Sequence, residues 1–551
     1  MRVIFKNLNY FLIFIFYCSS LLFAQVETVP AEEEVYDFFR RLKIKGVIEN
    51  YNNVILPLSK ISLKMITENI DKNKLNFVEK AYLQKITTKY FSFTSEKSII
   101  ESFPASLFND KNNHFYRYFD STFSATINPF FATRVIYSSG VKAEATLIEI
   151  GGSAYGSYGN FLGFKLHGTN GFLLGDRQSA LLDRTVRQSF TFNDTQINYF
   201  DDTEGYIRIA NENLSLQLGR ERVLWGNGYL DKLTLGLNPP KFDFVKFDFI
   251  YKNISYNFLH AWLVRKPTYT ATDSLVQAIE KKPEKFIALS RVSYNCSLFN
   301  LGISQIIIYA DRTFEAAYLN PFLFWESAQR SLNDVDNSFL SFDGTFRLLK
   351  GTEFSFSAIL DDINFERVSN GEWFDNGHGL AWQAALFLTD PILPANTDLI
   401  LEYTQLRPYT FSHPGYSEQL TFTNNGFMLG APLEPNSIKI NSQLNYRFTP
   451  FLNVGLGYSL MKHGKNIYNE NGNLIKSVGG DVFRFLTIND EQNVYLLKGD
   501  IETTRQMVLF LVYEVYLGYV LRLDYNYTRY NFKKLNQSTH NLFLTFYLDF
   551  N

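Results

Sequence analysis

The last eleven residues of the chain, 541–551, alternate in polarity in a way that limits what the chain can fold into. Every second position is apolar; the apolar set is Leu542, Leu544, Phe546, Leu548 and Phe550. Successive side chains of a strand point to opposite faces, so one face of this segment is apolar and the other is mixed. A strand of about ten residues divided in this way is typical of a transmembrane β-barrel, with lipid outside and water inside.

The N-terminus carries the features of a secretory signal peptide. Arg2 and Lys6 precede an apolar stretch over residues 10–23, and Ala24 offers a small residue for cleavage. This stretch is shorter than the run of about 20 apolar residues that a membrane-spanning helix needs. We therefore predict that residues 1–24 are a signal peptide that is removed on export.

Composition narrows the class of protein further. The chain has 53 Lys+Arg and 55 Asp+Glu, a balance that argues against nucleic acid as a partner. Its 53 Phe, 34 Tyr and 5 Trp suit the aromatic girdles that barrels place at both membrane interfaces. After the signal, no uncharged run is long enough for a transmembrane helix, and the nearest, 507–521, is predicted to form two strands. One cysteine, Cys296, remains, so no disulfide framework is expected.

Residues 26–95 differ from the rest of the chain because their apolar residues recur at helical spacing. The first predicted helix follows Glu32–Glu34, has apolar positions from Val35 to Leu42 and ends at Gly46. The second begins near Ser59, a suitable N-cap. The third begins after Asn76, and Glu79 three residues later completes a capping-box pattern. Three short amphipathic helices predict a small bundle that plugs the barrel from the periplasm; a generic soluble domain is the alternative.

From residue 114 onward the apolar pattern changes from helical spacing to alternation. Alternating segments counted back from the C-terminus give about eighteen strands over residues 114–551, an even number, as in single-chain bacterial barrels. Short connectors, such as 449–450 and 349–351, alternate with long ones. The long connectors are 220–240, 264–284, 310–337, 362–379, 406–437 and 463–503.

This alternation of short and long connectors is what outer-membrane barrels have, with short periplasmic turns and long outer loops. A soluble sandwich has no reason to place all its long loops on one side. The predicted fold class is therefore mostly β: a transmembrane antiparallel β-barrel of about eighteen strands with a small N-terminal α-helical bundle. The expected location is the outer membrane of a Gram-negative bacterium, with the bundle in the periplasm.

No catalytic signature stands out in the sequence. The chain lacks the metalloprotease, nucleophile-elbow and Walker motifs. The seven histidines are scattered without metal-ligand spacing, so no metal site and no cofactor are predicted. Asp361 and Asp362 could be an acid–base pair or a cation site, and a solvated strand end is the alternative. We therefore predict that the protein is not an enzyme.

The long connectors combine aromatic rings with charged and amide side chains. Flat rings contact the C–H surfaces of sugars, and polar groups hydrogen-bond to their hydroxyls. An arginine would bind acidic sugars through charge-assisted hydrogen bonds. The candidate contact residues are Arg220, Glu221, Trp225, Trp325, Trp373, Tyr409 and His413. The alternative is that these aromatic side chains pack the connectors into a lid or lie in the interfacial girdle.

The order and spacing of several short blocks resemble one family, the capsule assembly Wzi proteins, over nearly the whole mature chain. The blocks are Val35-Tyr36-Asp37-Phe38 with Pro57-Leu58-Ser59, Leu218-Gly219-Arg220-Glu221 running into Trp225-Gly226, Tyr318-Leu319-Asn320-Pro321, Asp361-Asp362, Arg407-Pro408-Tyr409 with His413, and Leu429-Gly430-Ala431-Pro432-Leu433. The resemblance implies an eighteen-stranded outer-membrane barrel whose periplasmic end is closed by a helical bundle. It also implies a lectin-like role in holding capsular polysaccharide, without identifying the glycan.

The expected function is therefore binding of capsular or other surface polysaccharide by the outer loops and the upper lumen. The expected partners are that polysaccharide, outer-membrane lipid and the capsule export machinery. Two alternatives remain at this point: a diffusion porin or transporter, which needs an open lumen, and an outer-membrane hydrolase, which needs a nucleophile paired with a base.

Overall fold

The computed structural model describes residues 26–49, 51–91, 114–120, 122–159, 161–189, 192, 198–265, 284–320, 322–334, 336–361, 379–391, 395–413 and 419–550. The predicted signal peptide, Trp373 and Asp362 lie outside these residues.

Eighteen antiparallel strands form one closed barrel, which confirms the predicted fold class. The strands are β1 Phe123–Ser138, β2 Ala143–Tyr158, β3 Leu162–Gly175, β4 Tyr199–Ala210, β5 Leu214–Glu221, β6 Phe242–Tyr251, β7 Ile254–Leu263, β8 Lys285–Asn295, β9 Phe299–Ala310, β10 Asn337–Leu349, β11 Thr352–Asp361, β12 Gly379–Thr389, β13 Thr397–Leu406, β14 Ser437–Thr449, β15 Leu452–Lys465, β16 Asp500–Tyr516, β17 Tyr519–Phe532 and β18 Leu535–Asp549. The barrel closes where β18 pairs with β1, with Leu548 opposite Phe131. A short strand, Tyr116–Phe119, pairs with the start of β1.

The two faces of the wall differ as the alternation predicts. On β5, Leu214, Leu216 and Leu218 are exposed, whereas Ser215 and Gln217 between them are buried in the lumen. The same division appears on β18, where Leu542 and Leu544 are exposed on the outward face. In a membrane barrel, lipid covers these outward apolar side chains.

The two ends of the barrel have different connectors. At one end, which we call the bundle rim, the connectors are 159–161, 211–213, 252–253, 296–298, 350–351, 390–396, 450–451 and 517–518. At the other end, the mouth rim, they are 139–142, 176–198, 222–241, 264–284, 311–336, 362–378, 407–436, 466–499 and 533–534. All the long connectors therefore lie at one end. The two short connectors at the mouth rim join β1 to β2 and β17 to β18, which are among the longest strands.

Three helices precede the barrel: α1 Glu34–Ile44, α2 Lys60–Glu68 and α3 Phe77–Ile86. The Ser59 side chain caps α2, and Asn76 with Glu79 forms the predicted capping box at the start of α3. The helices pack on the bundle rim; for example, the Lys85 ammonium donates to the Pro450 carbonyl oxygen at 3.0 Å. Four short helices lie in mouth-rim connectors: α4 Arg177–Ala180, α5 Arg184–Gln188, α6 Ala316–Leu319 and α7 Trp325–Leu332. Within the described ranges, no helix has the length and apolar character needed to cross a membrane.

Candidate binding site at the mouth of the barrel

The connector 222–241, which we call the plug segment, turns from the end of β5 into the lumen. The backbone N–H groups of Tyr229, Leu230 and Asp231 all donate to the Glu402 carboxylate, at 2.8, 3.2 and 2.9 Å. Glu402 belongs to β13 and is buried. A buried carboxylate requires such donors, because burial without partners costs several kcal/mol. Glu402 therefore fixes the tip of the plug segment to a strand far from β5 in the barrel.

Further hydrogen bonds extend this attachment to neighbouring strands. They join Asn227 to Asp343 of β10 at 2.7 Å, Tyr229 to Glu353 of β11 at 2.9 Å, and Lys439 of β14 to Asp231 at 2.6 Å. The plug segment consequently spans the lumen from β5 to the strands β10, β11, β13 and β14.

The N-terminal region meets the plug segment inside the barrel. Residues 55–56 pair with residues 224–225 as a short antiparallel ladder, with Ile55 opposite Trp225. The Gly226 N–H also donates to the Val54 carbonyl oxygen at 2.9 Å. Trp225 is only 1% exposed, so its ring belongs to the packed interior of the barrel.

Apolar side chains fill the lumen on the mouth side of this ladder. The cluster joins inward residues of the wall to the connector 407–436; its members include Phe244, Leu259, Ile287, Ile306, Phe339, Ile359, Phe411, Phe422 and Leu429. The rings of Phe411 and Phe422 are stacked, with centroids 4.6 Å apart, and Phe339 meets both edge-on. The lumen is therefore occupied by folded protein at this height.

The bundle rim is closed by buried charges instead. Arg41 of α1 lies 3.1 Å from Glu79, 2.6 Å from Asp390 and 2.5 Å from Asp398. Burial alone would lower the pKa of Arg41, but Asp398 and Asp390 outweigh it and raise the pKa. Arg447 of β14 pairs with the second oxygen of Asp398. Each charge in this group depends on its partners, because an unpaired buried charge is unstable.

Two lysines of the N-terminal region, Lys60 and Lys43, have counter-charges that do not fully offset the effect of burial. Burial lowers the pKa of Lys60 to about 8, although Glu27 lies 3.5 Å from its ammonium. Burial likewise lowers the pKa of Lys43 to about 8, against the attraction of Glu353. These two groups change protonation at lower pH than exposed lysines do.

At the mouth, a buried carboxyl group has a raised pKa. The Val482 N–H, in connector 466–499, donates to Glu434 of connector 407–436 at 3.2 Å. Burial raises the pKa of the Glu434 carboxyl to about 7, against the effect of this hydrogen bond. The contact between the two longest mouth connectors therefore includes a carboxyl that titrates near neutral pH.

The structure describes six of the seven predicted contact residues, all but Trp373, and places them in different environments. Arg220 lies on the outward face of the wall and forms a bidentate pair with Asp243 at 2.8 Å. Glu221 points into the lumen, where the Thr28 hydroxyl donates to it at 3.1 Å. Trp225 lies in the plug segment. These partners fit the alternative that such side chains have packing roles, and their contact with sugar stays a prediction.

Trp325 is also buried, but on the outside of the barrel. It packs edge-on against Phe258, an outward residue of β7, with ring centroids 6.2 Å apart. Tyr409 and His413 lie on the same connector, 407–436, at the mouth rim. The Tyr409 hydroxyl donates to Ser477 Oγ at 3.0 Å, and His413 is half-buried.

The Asp361 carboxylate accepts the Phe411 N–H at 2.5 Å and so holds the start of this connector against β11. Among the described residues, no group of three or more potential ligands could hold a metal ion.

Sequence reasoning did not select residues of the connector 466–499, which contributes polar and aromatic groups to the mouth. Tyr495 is 68% exposed, and the Lys498 ammonium lies 5.1 Å from its ring centroid. Lys476 pairs with Glu491 at 2.7 Å, and Arg484 with Asp490 at 3.0 Å. The mixture of charge and aromatic residues in this predicted long connector was the signal that could have pointed to them.

One comparison with a solved structure agrees with this architecture. The structure of Wzi from Escherichia coli, described as an outer-membrane protein of group 1 capsule assembly and a carbohydrate-binding β-barrel, matches with a TM-score of 0.55 and 12% identity. The match covers 94% of this chain and 98% of that one. OpdK of Pseudomonas aeruginosa, solved with vanillate, matches at a TM-score of 0.44 and 11% identity over 77% of this chain and 98% of that chain. No curated protein sequence matches this chain.

The closed barrel with its lipid-facing wall defines an outer-membrane β-barrel protein, here with protein folded into the lumen. The family model of capsule assembly protein Wzi matches residues 123–543, and the chain belongs to this family. The family is one of capsule assembly, and a β-barrel of this family implies location in the outer membrane of a Gram-negative bacterium.

Proposed function

We propose that this protein is a lectin-like outer-membrane barrel that binds capsular polysaccharide at its mouth rim and retains it on the cell, without catalysing a reaction. The observation that carries the proposal is the plug segment, which is hydrogen-bonded across the lumen to the strands β10, β11, β13 and β14. A barrel filled in this way favours a surface role over diffusion of solutes, the alternative that needs an open lumen.

The mouth supplies suitable chemistry for sugar. The exposed ring of Tyr495 offers a flat apolar face for stacking on a pyranose. Lys476 and Arg484 offer donors for hydroxyls or for the carboxylates of acidic sugars. His413, half-buried on the neighbouring connector, and Trp373, which lies outside the described residues, remain proposed contacts. Tyr409 would act by holding the two connectors together through Ser477.

We further propose that the bundle rim faces the periplasm and the mouth rim faces the cell exterior. The support is the distribution of connectors, since outer-membrane barrels place short turns in the periplasm and long loops outside. In this orientation the N-terminal region, predicted as residues 26–95, plugs the barrel from its periplasmic end. The exposed Phe77 and Met65 of the bundle are candidate contacts for the capsule export machinery.

Capsule retention on living cells tests the proposal. In a strain lacking the gene, wild-type protein should restore cell-bound capsule and reduce polysaccharide shed into the medium. The double variant Arg484→Ala with Tyr495→Ala should fail to restore retention at equal barrel abundance. Lys252→Ala, which changes an exposed lysine in a bundle-rim turn, is the matched control and should behave as wild type. Full retention by the mouth variant would reject the mouth as the binding site.

A further inference from the structure

The connector 311–336 leaves the mouth rim and folds back over the outside of the barrel, rather than over its opening. Its helices α6 and α7 pack on outward residues of β7, β8 and β9. The shared apolar cluster contains Phe258, Phe286, Ala288, Ile307, Tyr309, Tyr318, Trp325 and Ala328. The alternate residues of the same strands, such as Leu259, Ile287 and Ile306, belong to the lumen cluster, so the helices lie on the lipid side of the wall. We call α6, α7 and the described residues next to them the outer hairpin.

The outer hairpin covers polar groups that a lipid-facing wall does not normally carry. Gln305 of β9 points outward; its amide donates to the Leu323 carbonyl oxygen at 3.0 Å and accepts the Trp325 N–H at 3.1 Å. The Tyr309 hydroxyl accepts the Glu315 N–H at 3.1 Å and lies 2.7 Å from His260 Nε2. Polar groups left open to hydrocarbon are costly. The outer hairpin therefore takes the place of lipid over this part of the wall.

Charged contacts fix the outer hairpin at the rim. Arg312 pairs with Asp336 at 2.6 Å and with Asp334 at 3.3 Å. The Tyr318 hydroxyl also donates to Asp336, at 2.5 Å. The side chains that remain uncovered are therefore held in place rather than carried on a loose loop.

Those uncovered side chains are mainly aromatic. Phe322 is 93% exposed, and Phe314 and Phe324 are more than half exposed. The Phe322 ring stacks on outward Tyr256 of β7, with centroids 6.4 Å apart. Tyr256 in turn lies beside Phe247 of β6 in the outward face of the wall. The exposed rings thus continue the lipid-facing surface, whose next outward residues toward the bundle rim on β9 are Ile303 and Leu301.

The other side of α7 is polar. Arg330 pairs with Glu326 one turn earlier at 2.7 Å, and the Arg330 side chain is 71% exposed. Glu326 also accepts a hydrogen bond from the Ser338 hydroxyl at 2.6 Å. Exposed rings that precede α7 and an exposed ion pair on α7 match the division of a membrane interface.

We propose that the outer hairpin is an interfacial membrane anchor: Phe322, Phe324 and Phe314 insert among the acyl chains of the leaflet that surrounds the mouth rim, while Arg330 faces water. This role is independent of sugar binding. It widens the footprint of the barrel on one side, over β7, β8 and β9, and fixes the height of the mouth above the lipid surface.

Site-directed spin labelling of the full mature chain in phospholipid vesicles tests the proposal. Cys296 is first changed to Ser, and a nitroxide is then attached at Phe322→Cys, at Phe324→Cys or, as a control on α7, at Arg330→Cys. Power saturation with oxygen and with a water-soluble nickel complex gives the accessibility to lipid and to water. We expect the ratio of oxygen to nickel accessibility to be several-fold higher at 322 and 324 than at 330.

Two results would overturn the anchor. Nickel accessibility at 322 and 324 equal to that at 330 would place the rings in water. Low accessibility to both reagents, with dipolar broadening between labels on different molecules, would mean that a second copy of the chain covers the rings. Heat-modifiable migration of each variant on gels shows whether its barrel has folded, and the two phenylalanine positions serve as independent reporters.

Discussion

The two rims of the barrel are closed by different interactions. At the bundle rim, charged side chains bury one another: Arg41 is surrounded by Glu79, Asp390 and Asp398, and Arg447 completes the group. Toward the mouth, apolar rings fill the lumen, and carboxylates such as Glu402 receive backbone donors from a connector. A rim closed by buried charges requires a partner for every charge. A region closed by apolar side chains tolerates substitutions that keep the side-chain volume and the apolar pattern. We therefore expect substitutions to be poorly tolerated at the bundle rim and better tolerated at the mouth.

The largest expected effect is the loss of Arg41. Arg41→Ala leaves Asp398, Asp390 and Glu79 with fewer counter-charges, and breaking a buried pair in this way costs about 3–5 kcal/mol. The bundle should open more often while the barrel stays intact. The measurement is the labelling rate of Leu63→Cys, a buried bundle position, in a Cys296→Ser chain.

The control for this prediction is Lys64→Ala, whose 3.9 Å pair with Glu68 lies on a more exposed surface of α2. Surface pairs contribute about 0–1 kcal/mol, so the labelling rate should barely change. Equal labelling rates in the two variants would show that the buried charges do not hold the bundle.

A smaller effect is expected at the plug segment. Glu402→Ala leaves the N–H groups of Tyr229, Leu230 and Asp231 without their acceptor. An unsatisfied buried group costs about 1–3 kcal/mol of stability. The plug segment should then leave the lumen transiently. In planar bilayers the wild-type protein should be closed, and the variant should show intermittent conductance.

Glu402→Gln keeps one carbonyl acceptor and should lie between wild type and Glu402→Ala. Conductance of the wild-type barrel as large as that of the variant would contradict the closed lumen and would favour a porin.

The smallest expected effects are opposite responses of the two rims to pH. In the folded bundle the pKa of Lys60 is lowered to about 8, from about 10.5 in the unfolded chain. Between these two pH values the folded state binds fewer protons than the unfolded state, so the stability of the bundle rises with pH. The pKa of Glu434 is raised to about 7, so the mouth loses stability as pH rises from about 4.5 through 7. The rate at which buried thiols are labelled, at Leu63→Cys in the bundle and at Val482→Cys at the mouth, reports the opening of each rim. The labelling rate of the unfolded chain at each pH corrects for the fraction of thiolate.

Lys60→Met and Glu434→Gln are the matching variants. Each should flatten the pH response of its own rim and leave that of the other rim unchanged. A parallel response of both rims in the wild-type protein would contradict the assignment of these two groups.

The strands and the bundle helices could be predicted because their signals are local. Alternation divides Leu214, Leu216 and Leu218 from Ser215 and Gln217 wherever the strand lies in the barrel. The pairing of Asn76 with Glu79 lies within one helical turn, so its capping role could be predicted from spacing.

The positions of the connectors could not be predicted in this way. Trp225 and Trp325 occupy similar aromatic and charged segments, yet one lies in the lumen and the other on the lipid side. The difference depends on distant partners: Ile55 and Glu402 hold the plug segment inside, and Gln305 with Asp336 holds the outer hairpin outside. No local pattern specifies those contacts. A prediction from aromatic content alone therefore selected Trp225 and Trp325 as sugar contacts, although the fold buries both side chains.

Direct binding of purified capsular polysaccharide to the protein in vesicles tests the central proposal most sharply. Wild-type protein and Lys252→Ala should bind the polysaccharide with the same saturable affinity, and Arg484→Ala with Tyr495→Ala should bind it several-fold more weakly. Absence of saturable binding by a folded, closed wild-type barrel, or undiminished binding by the mouth variant, would contradict the account.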